Sequence, residues 1–338
     1  MNQNKWIKDL GEQGLLKRIQ SFCATEIVGD DGAVLDLKSD RQLVVTTDVL
    51  VDQVHFSDRT TSAFDVGWRA AAANLSDLAA MGAEPIGITV GLSLPGKTLT
   101  SWVEDLYRGL SSCLQQFSTP IVGGDLTRSN VIAVAITALG QVSATQVITR
   151  SQAQPGDAIL ITGYHGNSRA GLELLLNPEQ KVNLSDRERD FLIKAHQRPQ
   201  ARLDVISKLR AIAPETKVAG MDSSDGLGDA IVQICNLSKV SADIHLDQIP
   251  ISPALEKLTT NYPVLEWLFN GGEDFELVLT LEPALANKLL AALSPDAAVI
   301  GQIRATEPQL SQIRIFDQQQ IIKPEESQLF RGFQHFSS

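Results

Sequence analysis

Hydrophobic positions recur along the chain at spacings that predict both strands and helices. In residues 85–94 every second side chain is apolar, which is typical of a half-buried strand. Residues 64–81 are rich in alanine and predict a buried helix, and residues 11–23 carry apolar side chains at helical spacing. The remaining predicted elements are strands near 42–51, 131–142, 158–162, 275–281 and 298–301, and helices near 101–117, 168–177, 187–209 and 225–238. Strands and helices are mixed in both halves, so the predicted fold class is α/β (α+β).

A polar stretch separates the two halves. Residues 143–157 carry few large apolar side chains and end in Pro-Gly-Asp, which indicates a domain boundary. A chain of 338 residues is long enough for two domains of roughly 150 residues each. We therefore predict an N-terminal domain over residues 1–148 and a C-terminal α/β domain over residues 149–338.

The charge balance excludes several classes of partner. The formal net charge is −11, so the chain lacks the cation surplus needed to bind nucleic acid or an anionic membrane surface. No apolar run approaches the roughly 18 residues of a membrane span, and the first residues lack the pattern of a signal peptide. The three cysteines are far apart without a C-x-x-C pair, so we expect reduced thiols and a cytoplasmic protein.

Acidic residues cluster in short blocks beside glycine, serine and threonine. A single block of this kind is commonly a turn or a helix cap. There are several, and we expect their carboxylates at strand ends and tight turns, converging on one cleft where cations neutralise their repulsion. Oxygen donors without clustered His or Cys favour Mg²⁺, which proteins commonly share with substrate phosphates. The blocks are GDDGA (29–33), TTD (46–48), NLSD (74–77), GGDLT (123–127), MDSSDG (221–226) and GGEDFE (271–276).

One segment formally matches the P-loop of nucleotide-binding proteins. Residues 91–98, GLSLPGKT, fit G-x-x-x-x-G-K-[ST]. However, the apolar alternation continues through Leu92 and Leu94, which places Gly91 inside a strand, and Pro95 has no N–H to offer a phosphate. We therefore predict a strand, a turn and a helix here, and a P-loop NTPase using Lys97 is the less favoured alternative.

The blocks, in this order and spacing, resemble the thiamine-monophosphate kinase family of the aminoimidazole-ribonucleotide synthetase-like superfamily. The resemblance extends over nearly the whole chain. The motifs that carry it are IVGDDGA, TTDVLVDQVHF, NLSDLAAMGAEP, VGGDLTR, TRSQAQPGD, GYHGNSRAGLELLL, HQRPQAR, MDSSDGL, GGEDFEL and GFQHF.

The resemblance implies an architecture and an activity. The N-terminal domain, a mixed sheet with helices, would bind metal and ATP and form a homodimer, and the C-terminal domain would complete the active-site cleft. The enzyme would transfer the γ-phosphate of ATP to thiamine monophosphate, giving thiamine diphosphate. The alternative that stays open is another ATP-using member of the same superfamily.

Site residues follow from the same resemblance, motif by motif, and no covalent nucleophile is among them. The implied metal ligands, for several Mg²⁺ ions, are Asp31, Thr46, Thr47, Asp48, Asp77, Asp125, Asp222 and Asp225. The implied ATP contacts are Tyr107, Gly124, Asp125, Arg150 and Ser224. The implied substrate contacts are His55, Glu273 and the tail aromatic Phe333.

The chemistry of this acceptor predicts a direct mechanism. A phosphate monoester has a second pKa near ~6, so it is mostly a dianion at neutral pH and needs no strong general base. The obstacle is repulsion, since two unit charges ~4 Å apart repel by roughly 4 kcal/mol at an effective dielectric constant near 20. We therefore expect in-line transfer in which Mg²⁺ bridges both phosphates, without a phosphorylated enzyme.

Overall fold

The computed structural model describes residues 5–24, 26–28, 33–307, 309–318, 320–322 and 330. The chain divides into two compact units. The first comprises Met1–Leu78 with Ala83–Val142, and the second comprises Ala79–Gly82 with Ser143–Ser338. The larger segment of the second unit thus begins with the polar stretch, while the boundary after residue 148 and the roles of the two predicted domains stay predictions.

The first unit is a four-stranded sheet with helices. Its helices are α1 (Ile7–Leu10), α2 (Glu12–Ile19), α3 (Ala63–Ala80) and α4 (Thr100–Leu114), and single 3-10 turns follow α2 and α4. Its strands are β1 (Arg41–Val51), β2 (Glu84–Leu94), β3 (Ile121–Arg128) and β4 (Ala133–Ser143). The strand order is β1-β4-β2-β3, in which β2 runs antiparallel to β4 and parallel to β3.

The two faces of this sheet differ in burial. Ile88, Val90 and Leu92 are fully or almost fully buried, whereas Thr89 and Gly91 between them are partly exposed, so the predicted alternation is confirmed. Helix α3 lies on the buried face, where Gly140 of β4 leaves room for Leu78. The opposite face, which carries Thr89 and Gly91, is called the open face below.

The second unit contains a seven-stranded mixed sheet. Its order is β11-β10-β7-β9-β5-β8-β6, so that β5 and β8 are interior strands and both are buried along their whole length. The strands are β5 (Ala158–Ile161), β6 (Ala219–Asp222), β7 (Ser241–His245), β8 (Leu277–Leu281), β9 (Ala298–Arg304), β10 (Ile313–Asp317) and β11 (Gln320–Ile322). The helices are α5 (Asn167–Leu176), α6 (Asp186–Gln197), α7 (Leu203–Ile212), α8 (Leu227–Ser238), α9 (Pro253–Glu256), α10 (Val264–Asn270) and α11 (Pro283–Ala292).

Two sequence expectations need correction. The single helix predicted over 187–209 is two helices, because α6 ends at Gln197 just before Pro199, which disfavours helix at the preceding residue. The acidic blocks also do not all occupy strand ends and turns. Residues 46–48 lie within β1, residues 74–77 within α3, and residues 123–127 within β3. In these three blocks the acidic side chains project from a regular strand or helix and not from a turn.

Among the described residues, no helix combines the length and the hydropathy needed to cross a bilayer.

Candidate active site

The first unit brings two predicted metal ligands into direct contact. Thr46 of β1 donates a hydrogen bond through its hydroxyl to the carboxylate of Asp77 in α3. Asp48 lies two residues beyond Thr46, on the same side of the strand. The buried face of the sheet therefore carries a group of hard oxygen donors between β1 and α3.

Two other predicted ligands lie on the open face. The hydroxyl of Thr47 is 2.9 Å from that of Thr137 in β4, and Asp125 in β3 pairs with Gly91 of β2. Strands β1 and β3 are the two outer strands of the sheet. Within this unit, Thr47 and Asp125 therefore lie on the opposite face of the sheet from the Thr46–Asp77 pair. Asp125 is also on the opposite outer strand, so β4 and β2 lie between it and β1.

A cavity of about 380 Å³ lies beside β3 and gathers three of the predicted ATP contacts. Tyr107 of α4, Gly124 and Asp125 all line it, together with apolar side chains that include Ile19 and Val122. Burial raises the pKa of the Tyr107 phenol, so this hydroxyl stays protonated and available as a donor. The cavity therefore has an apolar wall and a small number of polar groups, which is the usual character of a ligand pocket.

His55 is held in one orientation after the end of β1. Its Nδ1 accepts a hydrogen bond from the backbone N–H of Val51 at 3.0 Å, and its carbonyl accepts one from Arg69 at 2.9 Å. An Nδ1 that accepts must be unprotonated, so the proton of the neutral ring is on Nε2. This ring therefore presents an N–H donor on its far side.

In the second unit, backbone hydrogen bonds join the two acidic loops at residues 222–226 and 271–276. The N–H of Glu273 donates to the carbonyl of Ser224 at 2.7 Å, and the N–H of Ser223 donates to the carbonyl of Glu276 at 2.8 Å. The Ser224 hydroxyl donates to Asp222 at 3.0 Å, at the end of β6. Predicted metal, nucleotide and substrate residues of this half thus share one structural unit.

Loop 271–276 has an unusual backbone. Gly272, Glu273 and Phe275 all have positive φ, at 56°, 59° and 52°. Positive φ is unfavourable for residues other than glycine, and such residues cluster at ligand-binding positions. The surrounding contacts must therefore hold this loop in place.

Those contacts are made by Asp274 and Glu276, two acidic residues of the GGEDFE block to which the sequence assigned no individual role. Asp274 accepts hydrogen bonds from the backbone N–H groups of Gly166 and Ser168, at 2.7 Å and 2.8 Å, and burial raises its pKa to about 7. Glu276 forms an ion pair with Arg202 and accepts a hydrogen bond from Thr162. Burial raises the pKa of Glu276, while the charge of Arg202 acts in the opposite direction.

Two buried histidines complete this region. His165 Nε2 lies 3.0 Å from the Ser223 hydroxyl, and burial lowers the His165 pKa to about 4, so the ring is neutral at pH 7. His196 Nδ1 lies 3.8 Å from a carboxylate oxygen of Glu273 and 3.3 Å from the Ser168 hydroxyl. Neither histidine stands next to an acidic block in the sequence. Both lie in family motifs, GYHGN and HQRPQAR, but only the fold shows what they contact.

The remaining predicted residues are placed as follows. The guanidinium of Arg150 donates to the side chain of Gln233 in α8, and Gln233 in turn donates to Asp229 in the first turn of that helix. Asp225 lies in the loop that precedes α8. Asp31, its neighbour Asp30 and Phe333 lie outside the described residues.

The P-loop alternative finds no support in the local structure. Strand β2 continues through Gly91 to Leu94, and α4 begins at Thr100 after a short turn. This is the predicted strand, turn and helix, and Gly91 pairs with both neighbouring strands instead of opening a phosphate loop.

Comparison with known proteins identifies the family. The N-terminal domain of the AIR synthase related proteins matches residues 29–142, and their C-terminal domain matches residues 154–310. The thiamine-monophosphate kinase of Synechococcus elongatus is 48% identical over 98% of both chains. This chain belongs to the thiamine-monophosphate kinase family. The Bacillus subtilis thiamine-monophosphate kinase is 34% identical, over 91% of this chain and 93% of that relative.

Solved structures of this kinase family share the fold. The thiamine-monophosphate kinase of Stenotrophomonas maltophilia aligns with a TM-score of 0.77 and 33% identity, over 89% of this chain and 95% of that one. AaThiL complexed with AMPPCP and TMP aligns with a TM-score of 0.74 and 30% identity, over 97% and 98%. The hydrogenase maturation protein HypE aligns with a TM-score of 0.72 at 18% identity, which reflects the fold alone.

The carboxylate and hydroxyl oxygens proposed as ligands in this chain are of the chemical type that Mg²⁺ prefers. Within the part of the chain that the structure describes, no group of three or more His, Cys, Asp or Glu side chains could hold a metal ion. Mg²⁺ that is shared with phosphates commonly uses only one or two protein carboxylates. Asp77 with the Thr46 hydroxyl and the nearby Asp48 fits that requirement.

Proposed function

We propose that this chain phosphorylates thiamine monophosphate with ATP, giving thiamine diphosphate and ADP by direct transfer. The observation that carries this proposal is the 48% identity to a thiamine-monophosphate kinase over 98% of both chains. The complex of the related AaThiL with AMPPCP and TMP supports the same pair of substrates.

For the nucleotide, the cavity beside β3 is the proposed site. Its volume of about 380 Å³ lies within the ordinary range for small-molecule pockets. Tyr107 would contribute a ring face and a protonated hydroxyl, while Gly124 lets the strand backbone approach the ligand. In the second unit, Ser224 and Arg150 are the proposed further contacts.

The proposed metal ligands among the described residues lie in both units. In the first, Asp48, Asp77 and the Thr46 hydroxyl share one side of the sheet, and Thr47 and Asp125 lie on its open face. In the second, Asp222 and Asp225 flank Ser224. Bound Mg²⁺ would neutralise phosphate charge and so reduce the repulsion between the two phosphate groups. The protein residues themselves would bind and orient, since the phosphate nucleophile needs no strong base.

On the acceptor side, two side chains are suitably prepared. His55 presents a neutral Nε2–H donor because its Nδ1 is occupied by the Val51 amide. Glu273 keeps 35% of its side chain exposed, in a loop fixed by backbone hydrogen bonds to Ser223 and Ser224. We propose that both contact thiamine monophosphate.

A second copy of the chain is the proposed partner. Leu43, Val45 and Val49 alternate along one side of β1 and are 50%, 55% and 46% exposed. A row of exposed aliphatic side chains on a strand commonly marks an interface, and it supports a homodimer formed through the first unit.

A substrate-dependent ADP-release assay tests the proposal. We expect Mg²⁺-dependent ADP release with thiamine monophosphate and none with aminoimidazole precursors, which are the substrates of the alternative superfamily activity. The thiamine product should gain one phosphate for each ADP. ADP release only with another acceptor would reject the proposed substrate, and radiolabelled phosphate trapped on the protein would reject direct transfer.

A further inference from the structure

We propose that Asp274 is a positioning residue that fixes the Glu273 carboxylate for the acceptor by bonding the first turn of α5. The proposal rests on the proposed function, in which Glu273 contacts thiamine monophosphate. It adds a residue with no contact to substrate and explains how the strained loop at 271–276 is held.

The backbone of this loop directs successive side chains to different environments. Glu273 has a left-handed φ of 59°, and its side chain stays 35% exposed beside His196. Asp274 points instead into the protein, toward the first turn of α5. Phe275 is again left-handed, with φ of 52°, and is 7% exposed. The two residues that follow Glu273 are thus held inside the protein, which restricts the directions open to the Glu273 side chain.

The anchor is the N-terminus of α5. This ten-residue helix has Gly166 at its N-cap, which offers no side chain to its free N–H groups. Asp274 supplies the missing acceptor from a point 108 residues later in the chain, taking one hydrogen bond from Gly166 and one from Ser168. A carboxylate at this position also benefits from the helix dipole.

The same hydrogen bonds define the role of the GYHGN turn, residues 163–167, between β5 and α5. A strand followed by a glycine-containing turn and a helix is the common setting for a phosphate site. Here the N–H groups of Gly166 and Ser168 already donate to Asp274. The first turn of α5 therefore serves the protein's own carboxylate, and its role is to hold loop 271–276.

Further contacts fix Glu273 from the other side. Its N–H donates to Ser224 at 2.7 Å, and its carboxylate lies 3.8 Å from Nδ1 of the 2% exposed His196. The Ser168 hydroxyl lies 3.3 Å from the same nitrogen. Ser168 thus contacts Asp274 through its amide and His196 through its hydroxyl, which links both supports of Glu273 to α5.

Kinetics of Asp274→Asn, Glu273→Gln and the double variant test the proposal. The asparagine keeps the size of the side chain, but its NH₂ group cannot accept the second hydrogen bond. We expect Asp274→Asn to raise the KM for thiamine monophosphate about ten- to a hundredfold, with the KM for ATP unchanged. The double variant should bind thiamine monophosphate no worse than Glu273→Gln alone, because both changes remove the same contact.

A matched control separates positioning from simple stability. Glu188 also bonds a helix N-terminus, since it forms a capping box with Ser185 at the start of α6. Glu188→Gln should lower the melting temperature without changing either KM. If Asp274→Asn lowers the melting temperature and leaves the KM for thiamine monophosphate unchanged, or if its effect adds fully to that of Glu273→Gln, the positioning role is rejected.

A second measurement does not depend on the activity. Amide hydrogen exchange of residues 272–276 should accelerate in Asp274→Asn and stay unchanged in Glu188→Gln. Unchanged exchange in both variants would overturn the proposal even if the enzyme phosphorylates thiamine monophosphate. If exchange is faster in Asp274→Asn but the parent enzyme does not turn over thiamine monophosphate, the proposed function is rejected. The role of Asp274 in holding loop 271–276 then remains supported. If Asp274→Asn does not fold, Asp274→Ser, which keeps one oxygen acceptor, is paired with Glu273→Gln in the same kinetic cycle.

Discussion

The hydroxyl of Thr46 donates a hydrogen bond to the carboxylate of Asp77, although the two residues are 31 positions apart and belong to a strand and a helix. This contact joins two of the acidic blocks. It places a hydroxyl beside a carboxylate on the buried face of the first sheet, close to Asp48.

Replacing Asp77 by Asn should therefore impair catalysis more than folding. The substitution removes the negative charge and keeps the size, so we expect kcat to fall about a hundredfold or more in the ADP-release assay. The melting temperature should change little. Asp105→Asn is a suitable control because Asp105 is an exposed acid of α4 that pairs with Arg108. Normal turnover of Asp77→Asn at ordinary Mg²⁺ concentrations would contradict the metal-ligand role.

Adjacent glycines of β3 provide a matched pair of substitutions. A Cβ at Gly124 would lie 2.3 Å from the backbone oxygen of Val90, whereas a Cβ at Gly123 would meet only Thr89 Cγ2 at an ordinary 3.5 Å. We expect Gly124→Ala to lose about 1–3 kcal/mol of unfolding free energy because two strands must separate. Gly123→Ala should lose much less. Urea denaturation of both variants checks this, and equal losses would show that the close approach is not what requires glycine.

The pKa of Asp274 predicts part of the pH dependence of stability. Because burial raises its folded pKa to about 7 from an ordinary value near 4, the folded protein holds a proton that the unfolded chain releases between these values. This group therefore makes the unfolding free energy fall as pH rises from about 4 to 7. The melting temperature at pH 7 minus that at pH 5 should therefore be more positive in Asp274→Asn than in the parent protein, because the variant lacks this loss of stability.

His165 acts in the opposite direction and supplies the control. Burial lowers its folded pKa to about 4, so the unfolded chain binds the extra proton and stability rises as pH increases toward about 6.5. His165→Gln should remove this rise, so that the melting temperature of the variant changes less between about pH 4 and pH 6.5. Identical pH profiles for the parent protein and both variants would contradict the environments described for these side chains.

The Arg202–Glu276 ion pair should contribute strongly to the stability of the second unit. The side chains are only 11% and 14% exposed, so Glu276→Gln leaves a largely buried guanidinium without its main counter-charge. We expect a loss of about 3 kcal/mol in unfolding free energy. Glu84→Gln is the comparison, since the Lys38–Glu84 pair is 57% exposed on both sides and should be worth less than about 1 kcal/mol. Similar losses in urea denaturation would contradict this difference.

The sequence predicted the elements whose patterns are local. Strand β2 shows clear apolar alternation, and the helix pattern of α3 extends over eighteen residues. Strand β3 was missed because IVGGDLTR contains two glycines and polar side chains, and it is a strand through pairing with β2. The family motifs likewise located the acidic blocks but not their supports.

The supports of the site depend on contacts between distant residues. Asp274 meets amides 106 and 108 positions away, and Arg202 meets Glu276 74 positions away. The sequence placed Asp274 and Glu276 in an acidic block, but local spacing does not give the partner of either carboxylate or that of Arg202. Their roles become visible only when the fold determines which groups are buried and which donors they meet.

The left-handed backbone of Glu273 and Phe275 has a consequence for engineering a new acceptor specificity. A library that varies residues 272–276 has to satisfy the dihedral angles before any chemistry is tested. Valine, isoleucine and threonine are disfavoured at both positions by their branched Cβ, whereas asparagine and glycine are tolerated. Many members of a fully random library would therefore have a misfolded loop. A library limited at residues 273 and 275 to amino acids that tolerate positive φ would contain a larger fraction of folded variants.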